Sequence, residues 1–262
     1  DAGGKLLVLA HGLCRNDLQW ARQGHDHGTA LARDLGYTPA YLHYNSGRHI
    51  STNGREFADQ LEILVANWPV AVKELAILGH SMGGLLARSA WHYGTAAGHA
   101  WPRRLKKLVF LGTPHHGAPM ERGGNLIDIA LGVSPYTAPL SRLGKIRSAG
   151  ITDLRHTWLL DEDWRGRDRF ARSSGHHAAV PLPDGVKCFA IAATTGKQAG
   201  DIKDRLVGDG LVPLASALGC HAEHDRNLMF PPDRQWIALE TGHLDLLCRK
   251  PVYERIRGWL AA

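Results

Sequence analysis

The stretch Gly79-His80-Ser81-Met82-Gly83-Gly84 leaves this chain few ways to fold. Before it stands Glu74-Leu75-Ala76-Ile77-Leu78, a short apolar run of strand type. After it comes Leu85-Leu86-Ala87-Arg88-Ser89-Ala90, which reads as helix. A serine at the centre of G-x-S-x-G, between strand and helix, is the pattern of a nucleophile elbow, a sharp turn that lifts the hydroxyl above a sheet. Gly79 and Gly83 are expected where strand and helix approach too closely for a Cβ. The same turn leaves the Met82 N–H at a helix start, aimed where an oxyanion would form. A glycine-rich turn carrying a solvated serine is the plainer alternative.

The remainder of the chain supplies a sheet for that turn. Lys5 to Ala10 is an unbroken apolar run, as expected of a strand buried on both faces. It leads into His11-Gly12-Leu13-Cys14, where a turn above the sheet would point the Leu13 N–H inward as a second oxyanion donor beside Met82. Asp17 is expected to cap a helix running through about Leu35, and Tyr37 to Tyr44 reads as a strand. Phe57, Leu61, Leu64, Val65 and Trp68 recur at helical spacing, and Pro69 stops that helix. Leu105 to Leu111 is another strand, followed by Gly112-Thr113-Pro114-His115-His116-Gly117. Alternating strands and helices predict an α/β fold with a mostly parallel, doubly wound sheet.

From about residue 118 to 179 the rhythm breaks, and an insertion of that length is read as a cap, or lid, of short helices over the Ser81 end of the sheet. Its apolar bit Trp158-Leu159-Leu160 runs straight into Asp161-Glu162-Asp163, so the cap is less apolar than a large lipid-binding lid needs. Val186 to Ala192 resumes the sheet, and Asn227 to Phe230 and Gln235 to Leu239 read as strands. With no linker or repeat, residues 1–262 are expected to form a single domain.

Two more polar residues complete a chemical pattern. Asp209 lies in Gly208-Asp209-Gly210-Leu211-Val212, a turn that holds a carboxylate free of crowding neighbours. His243 lies in Thr241-Gly242-His243-Leu244-Asp245, on the loop after the last strand. Ser81, Asp209 and His243 thus follow the chain order nucleophile, orienting carboxylate, base. Asp201 and Asp204 are the alternative carboxylates.

Composition narrows the partners. The net charge of +6 is dispersed, without a Lys/Arg block or nucleic-acid motif, so no nucleic-acid partner is expected. No run approaches the roughly 20 apolar residues of a membrane span. Cys14, Cys188, Cys220 and Cys248 show no C-x-x-C spacing, which argues against zinc and leaves one disulfide open. Cys188 is expected as a buried free thiol. The sixteen histidines include pairs such as His115-His116 and His176-His177, but no segment carries a complete metal-ligand set. No cofactor is expected. Asp1 is not an initiating residue, so a removed leader or a longer native start is expected; a cytoplasmic chain is slightly favoured, with secretion left open.

On these motifs the sequence resembles the α/β-hydrolase superfamily, and within it bacterial proteins of the lipase and GPI-inositol-deacylase-like group. His11-Gly12-Leu13, Gly79 to Gly84, Gly112 to Gly117, Gly208 to Val212 and Gly242-His243-Leu244 carry the resemblance over most of the chain. It implies a serine carboxylic-ester hydrolase with Ser81, Asp209 and His243 as the triad and Leu13 and Met82 N–H as the oxyanion hole, acting on a small-molecule or lipid ester. So few residues precede Lys5 that the sheet is expected to be trimmed to about six strands. Some bacterial lipases of the superfamily hold calcium through an Asp two positions after the catalytic His, which makes Asp245 a weak calcium candidate. An acyl-enzyme route for short- to medium-chain esters is the preferred expectation. A true lipase, polyester depolymerase or acyltransferase with the same triad, or a non-catalytic binding protein on this fold, are the alternatives.

Overall fold

Successive residues of a strand face opposite ways, and in Lys5–Ala10 both sets of side chains are buried after the first residue. Leu7 and Leu9 join a cluster with Leu31, Leu78, Val109, Ile191 and Ile256. Leu6 and Val8 join another with Phe57, Leu61, Ile77, Leu86 and Phe110. A sheet packed on both faces follows from that division. The structure, a computed structural model, describes residues 2–117, 148–167, 180–198 and 208–262.

The strands are β1 (Lys5–Ala10), β2 (Thr38–Leu42), β3 (Glu74–His80), β4 (Leu105–Leu111), β5 (Lys187–Ala193) and β6 (Gln235–Ala238). They lie in the order β2-β1-β3-β4-β5-β6 with every pairing parallel, as the strand–helix rhythm predicts. The principal helices are α1 (His27–Leu35), α2 (Ile50–Ala66), α3 (Met82–Ala96), α4 (Ala149–His156) and α5 (Lys250–Ala261). Residues of α1 and α5 fill the first cluster, and residues of α2 and α3 the second. Because β2 and β3 flank β1 on opposite sides, the winding reverses there. In open α/β sheets the crevice at such a switch point, outside the carboxyl ends of the strands, is where ligands bind. Gly12 follows β1, and Ser81 follows β3.

Three boundaries differ from expectation. The helix expected from Asp17 to Leu35 is divided. A single 3-10 turn spans Asp17–Trp20, then Gln23 and Gly24 take positive φ (49° and 75°), and Arg22 and His25 pair across that turn. The cap of α1 is Asp26, whose carboxylate accepts from the Thr29 N–H at 2.7 Å. The apolar run Asn227–Phe230 is not a strand, because Met229 turns to a φ of 48° and its N–H bonds Asn227 Oδ1 at 3.2 Å. The helix carrying Phe57 and Leu61 starts earlier, at Ile50, and ends before Trp68.

Of the insertion over 118–179, residues 148–167 are described and the rest lies outside the described residues, as do Asp201 and Asp204. Helix α4 docks on the start of α2. The Asp153 carboxylate accepts from the Ile50 N–H at 2.6 Å and lies 3.0 Å from His49 Nδ1. A Cβ at Gly150 would run into the Ser46 carbonyl and stand 3.2 Å from Met82 Cε, so α4 abuts the residue after Ser81. Among the described residues Cys188, Cys220 and Cys248 are free thiols, with Cys188 in the core. No helix among the described residues is long and apolar enough to cross a membrane.

Candidate active site

Ser81 sits between β3 and α3 at φ 55° and ψ −124°, a conformation that costs a non-glycine residue on the order of 1–3 kcal/mol. The surroundings over-determine it. The Ser81 N–H donates to the Leu111 carbonyl of the neighbouring strand at 2.8 Å. A Cβ on Gly79 would lie 2.6 Å from Gly84 Cα, and one on Gly83 would run into the Ala10 carbonyl oxygen. Both glycines are therefore required by close approach, and the strained turn leaves Ser81 partly exposed at the rim of the sheet.

Asp209 and His243 meet at the same rim. Asp209 Oδ2 accepts from His243 Nδ1 at 2.7 Å, and both residues are nearly sealed, at 3% and 4% exposure. Asp209 Oδ1 accepts from the Leu211 and Val212 N–H groups at 2.9 and 2.8 Å, and the His243 N–H returns to the Asp209 carbonyl at 3.1 Å. Gly208, at φ 52°, makes the turn feasible: a Cβ there would strike the Val212 carbonyl. With Nδ1–H given to the carboxylate, neutral His243 carries its free lone pair on Nε2.

The end of β4 joins the two halves. A Cβ on Gly112, the residue after Leu111, would stand 3.1 Å from both Asp209 Oδ2 and His243 Cε1. From the other side, His80 Nε2 lies 3.1 Å from the His243 carbonyl oxygen, and the two rings are 4.7 Å apart. Among the described residues no hydrogen bond joins the Ser81 hydroxyl to the His243 ring, whose Nδ1 is held by Asp209. In ligand-free sites such bonds are commonly long and tighten when substrate enters.

The two candidate oxyanion donors flank the serine. A Cβ on Gly12 would stand 3.0 Å from Ser81 Cβ, so the chain at Gly12 passes directly against Ser81. Met82 opens α3, where an N–H has no partner within the helix. Neither the Leu13 nor the Met82 N–H is engaged by another described residue. Asp245 turns elsewhere: its Oδ2 accepts from the Gly242 N–H at 3.2 Å and its Oδ1 lies 3.9 Å from Arg22. Among the described residues no group of three or more His, Cys, Asp or Glu side chains is arranged to hold a metal ion.

His80 is a site residue that the sequence reading left unassigned. Alternation along β3 puts it on the side of Ala76 and Leu78, toward the His243 loop. Its burial, and secondarily the nearby His243, push its pKa well below the usual histidine range, so it stays neutral and supports the His243 backbone. The signal was that alternation, hidden by the attention the neighbouring serine draws.

A family model described as the PGAP1-like alpha/beta domain matches residues 2–183. No curated protein sequence matches the chain. Among solved structures, a mature lipase of Bacillus licheniformis superposes with a TM-score of 0.60 at 16% identity, covering 97% of this chain and 91% of that one. A metagenomic carboxyl esterase gives 0.57 at 15% identity over 100% and 76% of the two chains. Lipase B of Aspergillus fumigatus gives 0.55 at 12% identity over 95% and 50%. At such identities the likeness is one of fold, and the fold is that of the α/β-hydrolases.

Proposed function

We propose that this chain, which belongs to the PGAP1-like alpha/beta domain family, hydrolyses carboxylic esters of short to medium acyl length through an acyl-enzyme on Ser81. The observation that carries the reading is the 2.7 Å Asp209–His243 bond at the rim where the strained Ser81 emerges. His243 Nε2 takes the Ser81 proton as the oxygen attacks the ester carbonyl. The resulting oxyanion is held by the Leu13 and Met82 N–H groups, each donor contributing on the order of 3 kcal/mol to the transition state. The imidazolium, stabilised by Asp209, gives its proton to the leaving alcohol. Water then enters by the same base, releases the acid and restores Ser81. The lipase and carboxyl-esterase names of the structural neighbours agree with ester chemistry as a class.

The acyl-length preference is supported by the apolar surface beside Ser81. Met82, Ile50, Leu85, Leu154, Leu159, Leu160 and Val180 form a small cluster, with Leu13 packed against it. Directly after Leu160 come Asp161, Glu162 and Asp163. In this reading residues 1–262 act as one unit, with the insertion over 118–179 limiting acyl length. A panel of p-nitrophenyl esters from acetate to palmitate tests both points. Wild type is expected to peak at short or medium chains, and Ser81→Ala to be inactive throughout. Turnover by Ser81→Ala near the wild-type rate would refute the nucleophile. A peak at palmitate that needs a lipid interface would replace the esterase reading with that of a lipase.

A further inference from the structure

Three consecutive peptide groups after β1 are each held by one hydrogen bond. The Tyr44 hydroxyl donates to the His11 carbonyl at 2.7 Å. The Gly12 carbonyl lies 2.9 Å from His11 Nδ1, and because a carbonyl only accepts, that nitrogen carries the ring proton. The Cys14 N–H donates to the Ser46 hydroxyl at 2.9 Å. The middle group of the three also contains the Leu13 N–H. No peptide bond among the described residues is cis, so this N–H points opposite to the engaged Gly12 carbonyl.

Two of these bonds come from the loop after β2, the strand that pairs with β1. The Tyr44 ring also stacks on the His11 ring, with centroids 4.2 Å apart and planes at 19°. Ser46 is buried, and its loop is anchored in turn. The Asn45 carbonyl accepts from Asn53 Nδ2 of α2 at 2.9 Å, and the Gly47 carbonyl accepts from the Gly150 N–H of α4 at 3.2 Å. Ser46 thus connects two helices to the turn that passes against Ser81. Cys14 needs such a hold, because its φ of 55° is strained for a residue with a Cβ and persists only where the surroundings fix it. Without the Ser46 hydroxyl, the Cys14 N–H loses that acceptor and the turn is free to relax, carrying the Leu13 N–H with it.

We infer that Ser46 and Tyr44 are positioning residues for the reaction at Ser81: they fix the turn so that the Leu13 N–H meets the oxyanion. This rests on the hydrolytic reading of Ser81. Both act through Leu13 and not on the ester itself. Their effect therefore belongs to the transition state, where the carbonyl oxygen gains charge, and not to the bound ester.

The test compares wild type, Ser46→Ala and Tyr44→Phe in hydrolysis of p-nitrophenyl butyrate and in inhibition by a trifluoromethyl ketone of the same acyl length. The Ser81 oxygen adds to the ketone carbon, its proton passes to His243, and the carbonyl electron pair becomes an oxyanion. The inhibition constant thus reads the donors without turnover. Losing a donor outright costs about 10²–10³ in kcat. A loosened donor is expected to cost about 10–100-fold in Ser46→Ala and less in Tyr44→Phe, with KM within about twofold. The inhibition constant is expected to rise by a factor matching the kcat loss. A smaller folded fraction would lower apparent kcat and leave that constant alone, so the two readouts separate positioning from stability. Tyr44→Phe keeps the ring stack and serves as the second variant should Ser46→Ala fail to fold. Unchanged kcat in both variants, or a kcat loss with no rise in the inhibition constant, would overturn the inference and leave the ester reading standing. A wild type that neither cleaves the ester nor binds the ketone would instead remove that reading, and this inference with it.

Discussion

Asp209 uses its two oxygens for different ends. One is committed to the Leu211 and Val212 N–H groups and fixes the turn, and the other accepts from His243 Nδ1. An asparagine can satisfy only one of these sides with its single oxygen. If it keeps the turn, its NH₂ faces Nδ1 and drives the ring proton to Nε2, where a base needs a lone pair. Asp209→Asn is therefore expected to lower kcat by about 10³–10⁴-fold with little change in KM. Steady-state kinetics on a p-nitrophenyl ester checks this, and a loss below roughly tenfold would remove Asp209 from the mechanism. His80 belongs to the same scale: its ring meets the His243 backbone and ring and the Trp20 ring, so its expected part is positioning.

At the scale of elements, the division before α1 has an energetic signature. Asp26 Oδ1 accepts from both the Thr29 N–H (2.7 Å) and the Tyr41 hydroxyl (2.5 Å), tying helix to strand. Among the described residues the Asp17 carboxylate bonds the exposed His43 ring. Asp26→Ala is expected to cost about 1–2 kcal/mol and Asp17→Ala clearly less, its carboxylate being solvent-screened, a difference that chemical denaturation resolves. Equal losses would contradict the assignment of the cap. Both aspartates look alike in the sequence, and His25-Asp26-His27 lacks the apolar period that would mark a helix start. The runs Leu6–Ala10 and Leu108–Leu111 were legible because a strand buried on both faces needs unbroken apolar residues. Leu228-Met229-Phe230 is apolar yet not a strand, since composition is silent about the positive φ of Met229. At the candidate site, Ser81 was legible from its glycines and Asp209 from its place in chain order between Ser81 and His243. His80 was not, because a histidine beside the elbow serine reads as filler of the motif until its burial against the His243 loop is seen.

For the whole molecule, buried neutral histidines dominate the response to acid. Burial lowers His27 and His116 to about 4 and holds His80 and His115 well below the ordinary value of 6.5. The unfolded chain therefore takes up protons first as pH falls. The stability these groups contribute is complete above about 6.5 and is lost on the way down through about 4. His27 alone, which gives its Nε2 side to the Leu246 carbonyl, represents on the order of 3 kcal/mol of that loss. Tm measured from pH 7.5 to 4 is expected to fall steadily below about 6.5, and a flat profile would contradict the neutral core assigned to these rings. The sheet holds that core together and carries Ser81 at the end of β3 directly after His80, whose ring meets the backbone of a histidine 162 positions after Ser81. Whether Ser81 and His243 work as nucleophile and base is decided by one measurement, the mapping of a fluorophosphonate adduct by mass spectrometry. The account predicts a single adduct on Ser81 in wild type, formed far more slowly in His243→Ala; no adduct, an adduct on another residue, or equal rates in both proteins would contradict it.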